Sequence, residues 1–195
     1  MKVRTLLIAG AVMAVLVGMT TANNNQGAQN QNGGSKTRVP ALTLTEDEEL
    51  NILYMRQEEK VARDVYLTLD EVWGADIFAN ISESEQQHMD AIENLITRYG
   101  LTDPIVNDTV GLFVNPDFQA MYDELVAAGS VSLEEALKVG VMIEEQDIAD
   151  LEKALEETTQ RSIRRVFENL LEGSTNHLDA FNACLDGDCP CLTDA

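Results

Sequence analysis

The sequence predicts an all-α fold: four long helices in two close pairs, joined by one long crossover that carries a short helix. Three observations predict it. Four segments place apolar residues at alternating steps of three and four, with no two-residue alternation competing. Start and stop signals stand at their ends. The connections are unequal, with about thirty residues, Gly100 to Val131, between the second and third segments.

The first helix is expected from Thr45, where Thr45-x-x-Glu48 forms a capping box, to about Asp70, with Trp73-Gly74 ending it. The second runs from Ser82, with Ser82-x-x-Glu85 at its head, to Tyr99, and Gly100 is placed to stop it. About a dozen residues would then separate the first pair. Asn115-Pro116 starts a short helix that ends near Gly129. The third long helix begins at Ser132, with Glu135 three residues on, and continues to about Glu157. The fourth follows after a few residues, from Arg161 to Ala183.

Residues 1–22 read as a secretory signal peptide. Lys2 and Arg4 precede an apolar run from Leu6 to Met19, and Thr20-Thr21-Ala22 offers a small-residue cleavage site. The protein is therefore expected to be secreted or held in the cell envelope, and not to be integral to the membrane once the signal is removed. Residues 23–41 form an Asn/Gln/Gly-rich linker with too few apolar groups for a core. The helical domain is expected over 42–184 and a cysteine-containing tail over 185–195. Export suits one disulfide among Cys184, Cys189 and Cys191, with one thiol left over. A zinc knot on the same three residues would lack a fourth ligand. The net charge of −21 excludes a nucleic-acid partner and favours cations.

The predicted core stripes carry the chemistry. They read Ile52, Met55, Glu59, Ala62, Tyr66, Leu69 on the first helix and Ile81, Glu85, His88, Ile92, Leu95, Tyr99 on the second. The third gives Leu137, Val141, Glu144, Ile148, Leu151, Leu155, and the fourth Ile163, Phe167, Leu170, Ser174, His177, Phe181. Each stripe is apolar at both ends and polar near its middle. A carboxylate on an apolar face costs several kcal/mol unless its charge is compensated, and no stripe supplies a lysine or arginine. A metal cation is the simplest partner for converging carboxylates and imidazoles; a polar belt filled with water is the other reading. The donor set suits iron, manganese or zinc.

With Glu59-x-x-Ala62-x-x-x-Tyr66, Glu85-x-x-His88, Glu144 and His177 in place, the sequence resembles the ferritin-like di-metal carboxylate proteins. These carry one Glu on each of two helices and Glu-x-x-His on the other two. YMRQEEKVARDVY, SEQQHMDAI, IEEQDIADLEKALEE and LLEGSTNHLDAF are more narrowly similar to an uncharacterised ferritin-like family of bacteria and archaea. The resemblance implies a ferritin-like four-helix bundle and a metal site of Glu59, Glu85, His88, Glu144 and His177. It implies one or two iron ions, with manganese or zinc as alternatives. One residue departs from the pattern: Ser174 stands where the fourth helix should carry Glu. Glu145 or Asp147 could make up that carboxylate, and Tyr66 could donate to a ligand carboxylate or simply fill the core.

The functional expectation is a di-iron oxidoreductase, ferroxidase- or peroxidase-like, with oxygen or peroxide as the partner of Fe(II). The alternative is a non-enzymatic secreted bundle with a structural zinc or manganese site or an interaction role. Homo-oligomers are common in such folds and leave no signature here.

Overall fold

The computed structural model describes residues 43–189. The signal peptide and linker expectations, and Cys191, lie outside these residues. Among the described residues there are five helices and no strand: α1 (Glu46–Trp73), α2 (Asp76–Tyr99), α3 (Pro116–Gly129), α4 (Leu133–Glu157) and α5 (Arg161–Leu185). α1 packs mainly on α2 and α4 on α5, while α1 also meets α4 and α2 meets α5. No helix of the described residues is long and apolar enough to cross a membrane.

Thr45 caps α1 as its sequence requires. Its hydroxyl accepts from the Glu48 amide at 3.1 Å, and the Glu48 carboxylate accepts from the Thr45 amide at 3.0 Å. Glu48 has a second task that the capping pattern alone does not reveal. Its other oxygen accepts from the Thr158 hydroxyl at 2.8 Å and the Thr159 amide at 3.2 Å, in the turn between α4 and α5. Burial pushes its pKa up, but donors from Thr45, Thr158, Thr159 and Gln160 outweigh that and hold it below the ordinary value. Glu48→Ala removes a cap and strands buried donors, so it should cost about 2–3 kcal/mol in urea unfolding. Because the native pKa is depressed, Glu48's stabilising contribution should be present at neutral pH and fade as acid protonates the carboxylate.

α1 ends at Gly74, whose φ of 60° is left-handed and whose amide donates to Asp70 at 2.7 Å. Here the structure corrects the sequence reading. α2 begins at Asp76, with only Gly74 and Ala75 between the paired helices, and not at Ser82. Ser82 lies inside the helix, its hydroxyl donating to the Ala79 carbonyl at 2.7 Å. Ile77, Phe78 and Ile81 are buried at helical spacing, and their packing extends the helix through the apparent cap.

The third long helix is also turned relative to the predicted stripe. Val141, Ile148 and Leu155 are only half-buried, whereas Gly140, Ile143, Asp147 and Ala154 are buried beside Leu137, Glu144 and Leu151. Gly140 is the physical reason: a Cβ there would lie 2.5 Å from the Phe181 ring, so only glycine lets α4 approach α5 this closely. Asp147, seven residues later, turns inward on the same face.

The crossover covers the outer side of α1, which explains why every residue from Glu58 to Tyr66 is buried. Arg56 pairs with Asp103 at 3.0 Å, Arg63 with Asp108 at 2.7 Å, and Lys60 donates to the Thr109 carbonyl at 3.0 Å. Asp64 is fully buried between Lys60 and Arg63 and also accepts from the Gly111 amide at 2.9 Å. The two apolar cores lie above and below a polar layer. One contains Val65, Leu69, Phe78 and Phe181; the other contains Ile52, Ile92, Leu151 and Phe167. In the first of these cores Cys184 forms a disulfide with Cys189.

Candidate metal centre

The polar layer is built from one or two side chains of each long helix. Glu59 comes from α1, Glu85 and His88 from α2, Glu144 and Asp147 from α4, and Ser174 and His177 from α5. All are buried, and the two histidines are the least so at 8% exposure. Glu85 is at the centre. One of its oxygens is 2.8 Å from His88 Nδ1 and the other is 2.8 Å from His177 Nδ1. Glu59 flanks His88 at 3.2 Å, and Glu144 flanks His177 at 3.5 Å. Two groups of three potential ligands result, Glu59–Glu85–His88 and Glu85–Glu144–His177, and they share Glu85.

The neighbours of these side chains fix their direction. His177 Nε2 is 2.9 Å from the Ser84 hydroxyl, so with Nε2–H donating to Ser84 the Nδ1 lone pair faces the carboxylates. Tyr66 donates to Glu144 Oε1 at 2.6 Å, which makes it a partner of a site carboxylate as well as a core ring. The Ser174 hydroxyl lies within hydrogen-bond reach of Asp147 Oδ2 and of the Leu170 carbonyl, and its one proton serves either of them. Asp147 of α4 is thus the carboxylate that meets Ser174 of α5. Glu145 is exposed and takes no part.

The chemistry of the donors fits a cation. Glu59 Oε1, Glu85 Oε1, Asp147 Oδ1 and His177 Nδ1 are buried without a hydrogen-bond partner. Glu85 Oε1 and His177 Nδ1 approach to 2.8 Å, a separation that either a proton between them or a shared cation accounts for. In the protein without an ion, protons must do that work. Burial pulls His88 down, but the Glu59 and Glu85 charges raise it to about 11; in the same way Glu144 and Glu85 raise His177 to about 9. Burial, reinforced by Glu85, lifts Glu144 to about 8 and Asp147 to about 7. Burial also tends to lift Glu85, but its two histidines hold it well below the usual carboxylate range.

These shifts set a pH dependence with a definite sign. Asp147, Glu144 and His177, together with His88, Glu59 and Glu58, bind their protons more tightly folded than unfolded, so the metal-free fold loses stability as pH rises through about 7, 8 and 9. Glu85 acts oppositely, but only in strong acid. Urea midpoints of chelator-treated protein should therefore fall between pH ~5.5 and ~8.5. Saturating divalent metal should reverse that order, because the ion replaces the protons.

Gly173 was not singled out by the sequence pattern, yet it shapes the site. A Cβ there would lie 2.5 Å from His88 Nε2, so α5 leaves room for that imidazole only as glycine. Gly173→Ala should keep its helix, since alanine favours helix by about 1 kcal/mol over glycine. It should displace His88 and weaken ion binding at the Glu59–Glu85–His88 group at least tenfold, as read by metal titration. Ser84 was also missed; hydroxyls on helix surfaces are too common to stand out.

These features define a class: an all-helical protein whose interior carries a buried carboxylate–histidine layer between two apolar cores. Residues 48–189 match the family described as Uncharacterized protein domain (DUF2202), and the chain belongs to that family. It is 50% identical over 143 residues to Uncharacterized protein MJ0754 of Methanocaldococcus jannaschii, covering 73% of this chain and 77% of the relative. The crystal structure of hypothetical protein MJ0754 from the same archaeon is similar, with a TM-score of 0.74 and 48% identity. That match covers 76% of this chain and 85% of the other.

Proposed function

We propose that this chain is a ferritin-like protein that binds two divalent metal ions, with iron the metal, between its four long helices. The observation that carries the reading is Glu85, whose two oxygens each approach a different histidine, each flanked by its own second glutamate. In this reading Glu59 and His88 complete one position, Glu144 and His177 the other, and Asp147 supplies the fourth carboxylate beside Ser174. Four carboxylates neutralise two divalent ions, which removes the cost of burying them. Carboxylate and imidazole donors suit iron, with manganese and zinc as competitors.

Iron bound there would supply one-electron exchange with oxygen or peroxide, so the proposed activity is Fe(II) oxidation or oxidant reduction. The protein's own residues set the conditions for it. Ser84 fixes the His177 tautomer, Tyr66 orients Glu144 and holds a proton against Oε1, and the two apolar cores exclude bulk water. The Cys184–Cys189 disulfide supports the proposed export to an oxidising compartment. A second reading, a structural metal site without turnover, is favoured by the deep burial of every proposed ligand. Fe(II) oxidation in air separates the two. Wild-type protein should accelerate it, and a Glu85→Ala/His177→Ala double variant should not; equal rates would leave the structural reading standing.

A further inference from the structure

The centre has a second set of acids behind it, on the side where α1 faces α4. Glu58 follows Tyr54 by one helical turn on α1, and Asp150 follows Asp147 by three residues on α4. Glu58 is 5% exposed and Asp147 4%, while Asp150 is half-buried and Tyr54 reaches the surface at 36%. Burial, and then neighbouring acids with Asp150 among them, push both Glu58 and the Tyr54 hydroxyl up, and Gln146 donates to Asp150 Oδ2 at 2.7 Å. The Tyr54 ring rests on Phe118 of α3, with centroids 5.4 Å apart. The acids thus run inward from the seam of α1, α3 and α4 to the buried layer.

This line has no cation of its own. The charges acting on Glu58 are those of Asp147, Asp150 and Glu59, all negative. The nearby bases are engaged elsewhere: Arg56 with Asp103, Lys60 and Arg63 with Asp64. Two of the inner oxygens, Glu58 Oε2 and Asp147 Oδ1, are buried without any hydrogen-bond partner. Burial of unpaired acidic oxygen costs free energy that a purely structural layer would avoid by using apolar residues. A divalent cation moving inward would meet ligands at each step, from Asp150 to Glu58 to Asp147.

We infer that Asp150, Glu58 and Asp147 form an ingress route for divalent metal ions, leading from the α1–α4 seam to the centre. The inference rests on the two-metal reading, and the experiment keeps the two apart. Co(II) alone is mixed with metal-free full-length protein in a stopped-flow instrument, and uptake is followed by its d–d absorbance. Wild type should bind two ions. Glu58→Gln/Asp150→Asn should bind the same number with uptake slowed at least tenfold. Should the double variant fail to fold by circular dichroism, Asp150→Asn alone, at a half-buried position, decides the matter by the same slowing. An unchanged rate in the variants would overturn the route and place ingress elsewhere. Loss of an ion from the variant would also overturn it, making these acids ligands of the centre. Failure of wild type to bind Co(II) would remove the two-metal reading and the route with it.

Discussion

Glu85→Ala should abolish binding at both metal positions, whereas Glu59→Ala and Glu144→Ala should each remove one. The asymmetry follows from geometry, because Glu85 belongs to both three-residue groups and the other two glutamates to one each. Its loss also separates two histidines whose ring centroids are 5.5 Å apart from the anion between them. Removing one partner from a buried charged set typically costs 3–5 kcal/mol, so metal-free Glu85→Ala should also be visibly less stable. Glu85→Gln keeps the volume and removes the charge. It should recover part of the stability but not the metal. Isothermal titration with Fe(II) under anaerobic conditions, paired with urea unfolding, reads both effects.

Asp64→Ala should be the most damaging substitution away from the centre. Asp64 is the common anion for Lys60 and Arg63, which are themselves buried, and it also holds the crossover through the Gly111 amide. Truncation leaves two buried cations short of a partner and one amide without an acceptor. About 3–5 kcal/mol should be lost, a large share of the 5–15 kcal/mol that holds a typical domain folded. Arg63 retains Asp108 and Lys60 retains the Thr109 carbonyl and the Phe113 ring, so the fold should weaken without vanishing. Limited proteolysis should show the crossover between Asp103 and Leu112 cut sooner than in wild type. Metal stoichiometry should be unaffected, which separates this defect from one at the centre.

The helices were legible because periodicity and capping agree along most of the chain. The exception at Ser82 is instructive: a capping-box pattern occurred by coincidence within a helix that tertiary packing extends to Asp76. The inward residues Glu59, Glu85, His88, Glu144, Ser174 and His177 were legible because each interrupts an apolar stripe. Asp147 stayed one of two candidates, since choosing it over Glu145 requires the rotation of α4, and Gly140 against Phe181 sets that rotation. The buried charges Arg56, Lys60, Arg63 and Asp64 were not legible at all. They occupy what a bare bundle would expose, and only the irregular crossover, whose path no periodicity encodes, encloses them. Glu58 is buried for a similar reason. The pattern selects one inward glutamate, whereas α1 is covered on both sides.

The most direct measurement is the number of iron ions bound per chain. Full-length protein, stripped with chelator and loaded anaerobically with excess Fe(II), should retain two irons per chain after desalting, measured by elemental analysis against protein concentration. Retention of none, with the helical fold intact by circular dichroism, would contradict the two-metal centre and return the buried acids and histidines to a proton-linked polar layer.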